Sequence, residues 1–209
     1  HSGFSVIELI VVVLIIGILA AGAGISISIY YNADAKRAAQ NLNDALNTAR
    51  THAIAENNKE LTSPANIAAR VFLGSDNNYY VGIYTIDPGA VSITEADLRP
   101  DNSPENSARL ARLISLKKLS NSRVDVYTAG RNSTDKKQID NTRAVEYRFD
   151  KATGRCKAYE LTRSGDSYQY SVAAPTDADF SAYFCEILLE GSESFRLVFT
   201  ASGRCYAVD

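Results

Sequence analysis

Glu8 stands at the head of a run, Leu9 to Ile25, in which 17 consecutive residues carry neither a charge nor a hydrogen-bonding side chain. A carboxylate left unpaired near hydrocarbon is costly, so a residue of this kind is functional by default and needs a cationic partner. The plainer reading makes Glu8 a helix-start carboxylate favoured by the helix dipole. Cys156, Cys185 and Cys205 show no C-x-x-C spacing and only two histidines accompany them, so neither a zinc pattern nor a dense disulfide framework is present. At most one bridge can form within the chain. His1 and His52 lie too far from other candidate groups for a triad or a metal site. Asp177-Ala178-Asp179 offers the carboxylates of a calcium loop, but a bare Asp-x-Asp reads as a polar turn. No catalytic group, metal or cofactor is therefore predicted, and the chain does not read as an enzyme.

Arg109 to Arg163 holds 14 Lys or Arg against 6 Asp or Glu, a balance of +8 in a chain whose net charge is -2. Such segregation suits contacts between copies of the chain through opposite patches. It also offers Arg131, Lys136 and Lys137 as phosphate contacts, although the overall charge gives no case for a nucleic-acid binder. Tyr127, Tyr147 and Tyr159 accompany the basic stretch, with a strand spacing that suits core packing as well as base stacking.

These residues must be positioned by a folded chain. With 209 residues, 45% hydrophobic and 22% charged, the sequence supports one good-sized core or two small ones. Methionine is absent, so a processed chain or a fragment is expected. From Phe4 to Tyr31 an α-helix would reach about 40 Å, more than the roughly 30 Å of a hydrocarbon core, and its run of Val, Leu and Ile has no polar face. The stretch therefore reads as a membrane segment and not as a secretory signal, which would end at a cleavage site. Ala35, Ala38, Ala39, Leu42, Ala45, Leu46, Ala49 and Ala53 then recur at three- and four-residue steps, the pattern of an amphipathic helix. No Gly or Pro lies between Gly24 and Pro64, so a single helix from about Ser5 to Asn57 is predicted, about 80 Å long. Gly22 and Gly24 are its candidate points of flexibility, or small residues for close helix packing.

Four regions follow: residues 1–3 as leader or scar, 4–31 as the membrane half of the helix, 32–58 as its amphipathic half and 59–209 as a globular head. Within the head, Arg70–Leu73 and Tyr79–Tyr84 read as a hairpin around Gly74–Asn78. Ser103 and Pro104 look like a helix start, continued by Leu110, Leu113 and Ile114 and by 117–119. The remainder reads as strands: Val124–Tyr127, Ala144–Phe149, Arg155–Leu161, Tyr168–Val172, Phe180–Leu189, Phe195–Thr200 and Arg204–Val208. An α+β fold is predicted, with one antiparallel sheet laid on the upper half of the helix. Phe149 to Cys156 and Phe199 to Cys205 echo each other, an aromatic followed by a small-residue turn and then Gly-Arg-Cys. Both read as hairpin turns whose glycine takes a positive φ.

Gly3-Phe4-Ser5-Val6-Ile7-Glu8-Leu9-Ile10, followed by Ile15-Ile16-Gly17-Ile18-Leu19-Ala20-Ala21, closely resembles the N-terminal signature of type IV pilins and type II secretion pseudopilins. The resemblance implies cleavage by a prepilin peptidase between Gly3 and Phe4, methylation of the new terminus, and pairing of Glu8 with the Phe4 amine of a neighbouring subunit. It also implies a pilin-like fold, and a structural subunit held in the plasma membrane and then assembled into an extracellular helical filament of its own copies by the pilus machinery. His1-Ser2-Gly3 would be removed in that family, and the proline that many members carry in the membrane helix is absent here. A second, weaker likeness to minor pilins and pseudopilins rests on Ala49 to Asn58 and Val198 to Arg204. Their role would be to prime a filament or secretion machine, while some minor pilins bind DNA through exposed arginines and lysines. One disulfide is expected from the oxidising compartment outside the plasma membrane. The family's C-terminal loop favours Cys185 with Cys205, which ranks first although in a plain meander a strand would separate the two; Cys156 with Cys205 ranks next. Cys156 with Cys185 ranks last.

Overall fold

The computed structural model describes residues 5–56, 66–86, 89–98, 110–116, 124–130, 137–172, 183–189, 194–199 and 203–208. One helix, α1, runs unbroken from Val6 to Glu56 through Gly17, Gly22 and Gly24, 51 residues in all. That matches the predicted continuous helix to within a residue at each end. Its burial changes along its length: residues 5–21 are exposed, whereas Ala38, Ala39, Leu42, Ala45, Leu46, Ala49 and Ala53 are buried. The alanines on that face let the helix axis come close to the sheets beneath it.

The strands are β1 (Asn66–Leu73), β2 (Tyr79–Ile86), β3 (Ser92–Thr94), β4 (Leu110–Ser115), β5 (Val124–Gly130), β6 (Lys137–Gln138), β7 (Arg143–Phe149), β8 (Cys156–Ser164), β9 (Ser167–Val172), β10 (Tyr183–Leu189), β11 (Ser194–Phe199) and β12 (Cys205–Val208). They form two antiparallel sheets where the sequence suggested one. The first has the order β3-β9-β8-β7-β1-β2-β4 and the second β12-β11-β10-β5-β6. α1 packs on β1, β2 and β7 of the first and on β10, β11 and β12 of the second. Ile67, Ala69, Val71, Val81, Ile83, Val145, Tyr147, Phe149 and Leu197 join the buried face of α1 in one core.

Two local expectations are corrected. The stretch beginning at Leu110 is strand β4, which pairs with β2 with a shift in register at Ile83 and Tyr84, and not a helix. Leu110, Leu113 and Ile114 fit a helical spacing over too short a window to outweigh the free edge of β2. A short helix, α2 (Glu95–Leu98), and β3 before it are additional. Thr94 starts α2 by accepting from the Asp97 N–H at 3.2 Å, while Asp97 Oδ2 accepts from the Thr94 N–H at 3.2 Å. The residues 103–109 and 117–119 of the predicted helix lie outside the described ones.

The turn glycines behave as the echo predicts: Gly154 has φ +66° and Gly203 φ +77°. The two turns also meet. A Cβ at Gly203 would run into the carbonyl oxygen of Gly154, so only glycine allows the second turn to sit against the first.

Alternation in β1 sends Ile67, Ala69 and Val71 toward α1 and Arg70 to the opposite face. There Glu146 is fully buried and accepts from Arg70 Nε at 2.6 Å, Arg148 Nε at 2.5 Å and the Tyr170 hydroxyl at 2.9 Å. Arg70 also donates to the Asp97 carbonyl at 2.8 Å, and its guanidinium lies 4.5 Å from the Tyr84 ring centre. Gly82 makes room for that ring, since a Cβ there would collide with it. Arg148 sits between Tyr159 at 4.3 Å and Tyr170 at 4.4 Å. Burial disfavours a charged Arg70, but the attraction of Glu146 and its hydrogen bond outweigh this and raise the guanidinium pKa. Tyr170 is pushed up to about 12, chiefly by burial and then by the Glu146 charge.

Glu146→Gln should therefore cost about 3–5 kcal/mol in denaturant unfolding, because both arginines lose their carboxylate in a dry setting. A loss below about 1 kcal/mol would mean that the cluster is well hydrated. Tyr170 has its pKa raised from 10.0, so its contribution is complete below that pH and is lost as pH rises toward about 12. Alkaline unfolding followed in wild type and Tyr170→Phe should show that difference, with the variant lacking the tyrosine-linked step.

Candidate functional site

The start of α1 is built from Ser5 outward. Glu8 N–H and Leu9 N–H donate to the Ser5 carbonyl at 3.0 and 3.2 Å, which makes Ser5 the residue preceding the first turn. Ile7 N–H donates to Ser5 Oγ at 3.4 Å, and the Ser5 N–H donates to Glu8 Oε2 at 3.0 Å. This reciprocal pair is a capping box, Ser-x-x-Glu, in which two backbone donors at the helix end gain side-chain acceptors. The signal is legible in the local string Ser5-Val6-Ile7-Glu8. Within one chain, then, Glu8 does the work of a helix-start carboxylate, exposed and held by a single amide. That amide is a weaker partner than a cation.

Beyond Glu8 the helix is apolar on every face and covered on none. Val6 is 77% exposed and Leu19 still 67%, so the exposure persists along four turns and around the whole circumference. Nothing approaches within 4 Å of a Cβ placed at Gly17. Among the described residues, no helix is long and apolar enough to cross a membrane. The exposed apolar stretch with described side chains runs only from Val6 to Ala21, and the next residues of α1 are described by their backbone alone. Gly3 and Phe4 lie outside the described residues.

At the other end of α1, Arg50 reaches the two Gly-Arg-Cys turns. Its Nε donates to the Gly154 carbonyl at 3.3 Å, and it lies 3.2 Å from where a Cβ on Gly203 would be. Arg50 and Gly203, one from each of the two sequence segments of the weaker likeness, are thus brought together in space. Arg155 and Arg204, one from each turn, are exposed beside them.

The remaining candidates are dispersed. Lys137 bonds Glu160 at 3.1 and 3.2 Å, tying β6 of one sheet to β8 of the other. Arg148 is paired with Glu146, and Arg163 with Glu95 at 2.9 Å. Lys137, Arg148 and Arg163 of the described basic stretch are thus each paired within the chain, which weakens the field they offer to phosphate. Arg131, Lys136, Asp177 and Asp179 lie outside the described residues. Cys185 is opposite Leu197 on β10 and Cys205 opposite Phe199 on β12, so β11 runs between them. Two strand spacings are about 10 Å, beyond the roughly 7 Å that a disulfide spans. Cys156 opens β8 opposite Phe149, half-buried against the α1 core, and its thiol is free. Burial pushes that thiol up to about 12.

Residues 1–24 match the family model described as the prokaryotic N-terminal methylation motif, a motif characteristic of type IV pilins and pseudopilins. Neither the curated proteins nor the solved structures give a match to the chain.

Ser5→Ala should weaken the first turn of α1 by about 1 kcal/mol. Hydrogen exchange of the detergent-solubilised chain should then show faster exchange at Ile7 and Glu8, with the head unchanged. Unaltered exchange at both amides would mean that the cap contributes nothing to the helix start.

Proposed function

We propose that the chain is a structural subunit of a type IV pilus or a closely related filament. Residues 4–31 hold it in the plasma membrane, 32–58 carry the head of residues 59–209, and residues 1–3 are removed by a prepilin peptidase that cuts before Phe4. The observation that carries this reading is the helix of Val6 to Leu19, exposed on all faces and projecting from a head whose own core is complete without it. Burying such a surface against lipid first and neighbouring helices later is favourable by about 25 cal/mol per Å² removed from water. Tight helix contacts then form at small residues such as Gly17.

Glu8 sets the axial register. In a single chain it accepts from the Ser5 amide; in the fibre it pairs with the Phe4 ammonium of a neighbour. A charge-assisted bond in an apolar bundle is the stronger of the two, so assembly draws the carboxylate toward the incoming amine. Gly22 and Gly24 supply the point at which the helix stretches. The mature chain then lies at the cell surface, with its helix inside the fibre and its head outside.

A second reading, a minor pilin or pseudopilin that primes a filament or secretion machine, draws on the meeting of Arg50 with the Gly154 and Gly203 turns. Abundance separates the two, because a major subunit dominates sheared fibres and a priming subunit is scarce.

Intact-mass and N-terminal analysis of sheared surface fibres should find an abundant chain beginning with N-methylphenylalanine at Phe4. A chain in real fibres still beginning at or before His1 would rule out the Glu8 pairing described above. Glu8→Ala should reduce fibre number more than tenfold, corresponding to at least about 1.4 kcal/mol per subunit. Thermal unfolding of the head should not change, and normal fibre number and length would remove the register role.

A further inference from the structure

We infer that Asp44 receives the Lys36 ammonium of a neighbouring copy of this chain, in the same interface where Glu8 takes the Phe4 amine. The inference rests on the filament reading above. α1 is unbroken from Val6 to Glu56, so all its positions share one helical wheel. Glu8 and Asp44 are 36 positions apart, which is ten turns at about 3.6 residues per turn, so both carboxylates stand on one side of the helix. Asp44 is two positions from Leu42 and from Leu46, about 200° round from those buried side chains, and this side therefore faces away from the head.

Lys36, Arg37 and Asp44 are exposed, and among the described residues none of the three has a side-chain ion pair. Nor do the positions one turn away supply one: Gln40, Asn41, Asn47 and Thr48 surround Asp44, and Asn32, Ala33, Ala39 and Gln40 surround Lys36. Copies that repeat by rotation and rise meet through two different faces, and such a heterologous contact continues into an open helical filament. Lys36 stands about 80° round the helix from Asp44, so the two can occupy the two faces of one repeating contact. Arg37 stands only about 20° from Asp44, on the same face, and has Asp34 three positions before it.

The heights agree as well. Pairing the Phe4 amine of one copy with Glu8 of the next offsets the two chains by about four positions, or about 6 Å. The neighbour's Lys36 then stands level with Gln40, about 6 Å below Asp44, within the span of a flexible four-carbon stem. With no offset the two would differ in height by about 12 Å and would not meet. One stagger thus serves two pairs, each with the cation below and the carboxylate above. The lower pair lies in apolar surroundings and supplies strength, whereas the upper one is exposed to water and selects the correct offset by sign.

The test counts sheared surface fibres from cells producing the wild-type chain, Lys36→Glu, Asp44→Lys and the double exchange. Each single exchange should lower fibre number roughly fivefold, the upper end for an exposed ion pair, and the double exchange should return it to within about twofold of wild type. Single exchanges at the wild-type level, or a double exchange no better than the worse single one, would overturn the contact. A zero-length carbodiimide applied to wild-type fibres gives a second reading that needs no variant. It condenses the Lys36 amine with the Asp44 carboxyl, and the reagent takes up the released water as a urea. Eight positions along one helix are about 12 Å, so an amide between these residues must join two chains. Digestion with trypsin and chymotrypsin should yield the Asn32–Arg37 peptide joined to the peptide that holds Asp44, and its absence from the cross-linked fibres would likewise remove the assignment. Wild-type fibres that lack this chain would refute the filament reading itself, whereas fibres built of the chain but showing neither rescue nor amide would refute this contact alone.

Discussion

Close approach of the alanine face of α1 to two separate sheets is the constraint on which the rest of the head depends. Ala38, Ala39, Ala45, Ala49 and Ala53 are almost completely buried, with Leu42 and Leu46 set among them. A helix with bulky residues at those positions would stand further from β1 and β7 and could not at the same time reach Leu197 on β11. Small side chains bury little area each, but they let many backbone and side-chain atoms reach contact distance at once. The helix is therefore the shared wall of both sheets, and the Gly154 and Gly203 turns meet where Arg50 of that wall bonds to Gly154.

Covering one face of the seven-stranded sheet leaves the other to be settled in a different way. On its second face Phe72, Ala144, Leu161 and Tyr168 form a smaller cluster with Ile93 of β3 and Leu98 of α2, and Phe72 stacks on Tyr80 at 5.9 Å. Arg70 and Glu146 are buried among tyrosines there with Arg148 half-buried beside them, and each of the three has an opposite charge or a ring against it. Such a cluster is costly to desolvate and costly to break, so it adds little net stability while strongly disfavouring alternative registers of β1 against β7. Moving β1 by one residue would turn Arg70 into the α1 core and Val71 toward Glu146.

The lower half of α1 follows the opposite rule. The head buries a stripe of its upper half, whereas residues 5–21 are exposed among the described residues. Apolar surface exposed on all faces of a helix is unfavourable in water, in contrast to the buried stripe of the upper half. The capping box at Ser5 and Glu8 completes the hydrogen bonding of the exposed end without using any group from the head. The two halves of one continuous helix thus differ in burial, the upper packed inside the chain and residues 5–21 exposed.

The residue pattern by itself determined the long helix, its change from all-round apolar to amphipathic, most of the strands and both Gly-Arg-Cys turns. Each of these is a local property: a 3.6-residue period, a two-residue period or a glycine needed at positive φ. The methylation motif at residues 1–24 is likewise a contiguous string. Tertiary structure alone decided that the strands divide into two sheets, that Leu110–Ser115 extends the edge of β2, and that Arg70 meets Glu146 across 76 positions. It also set the Gly154–Gly203 contact and placed β11 between Cys185 and Cys205. Those outcomes depend on which edges are free and which faces are already covered once the chain has collapsed, information that no local window contains.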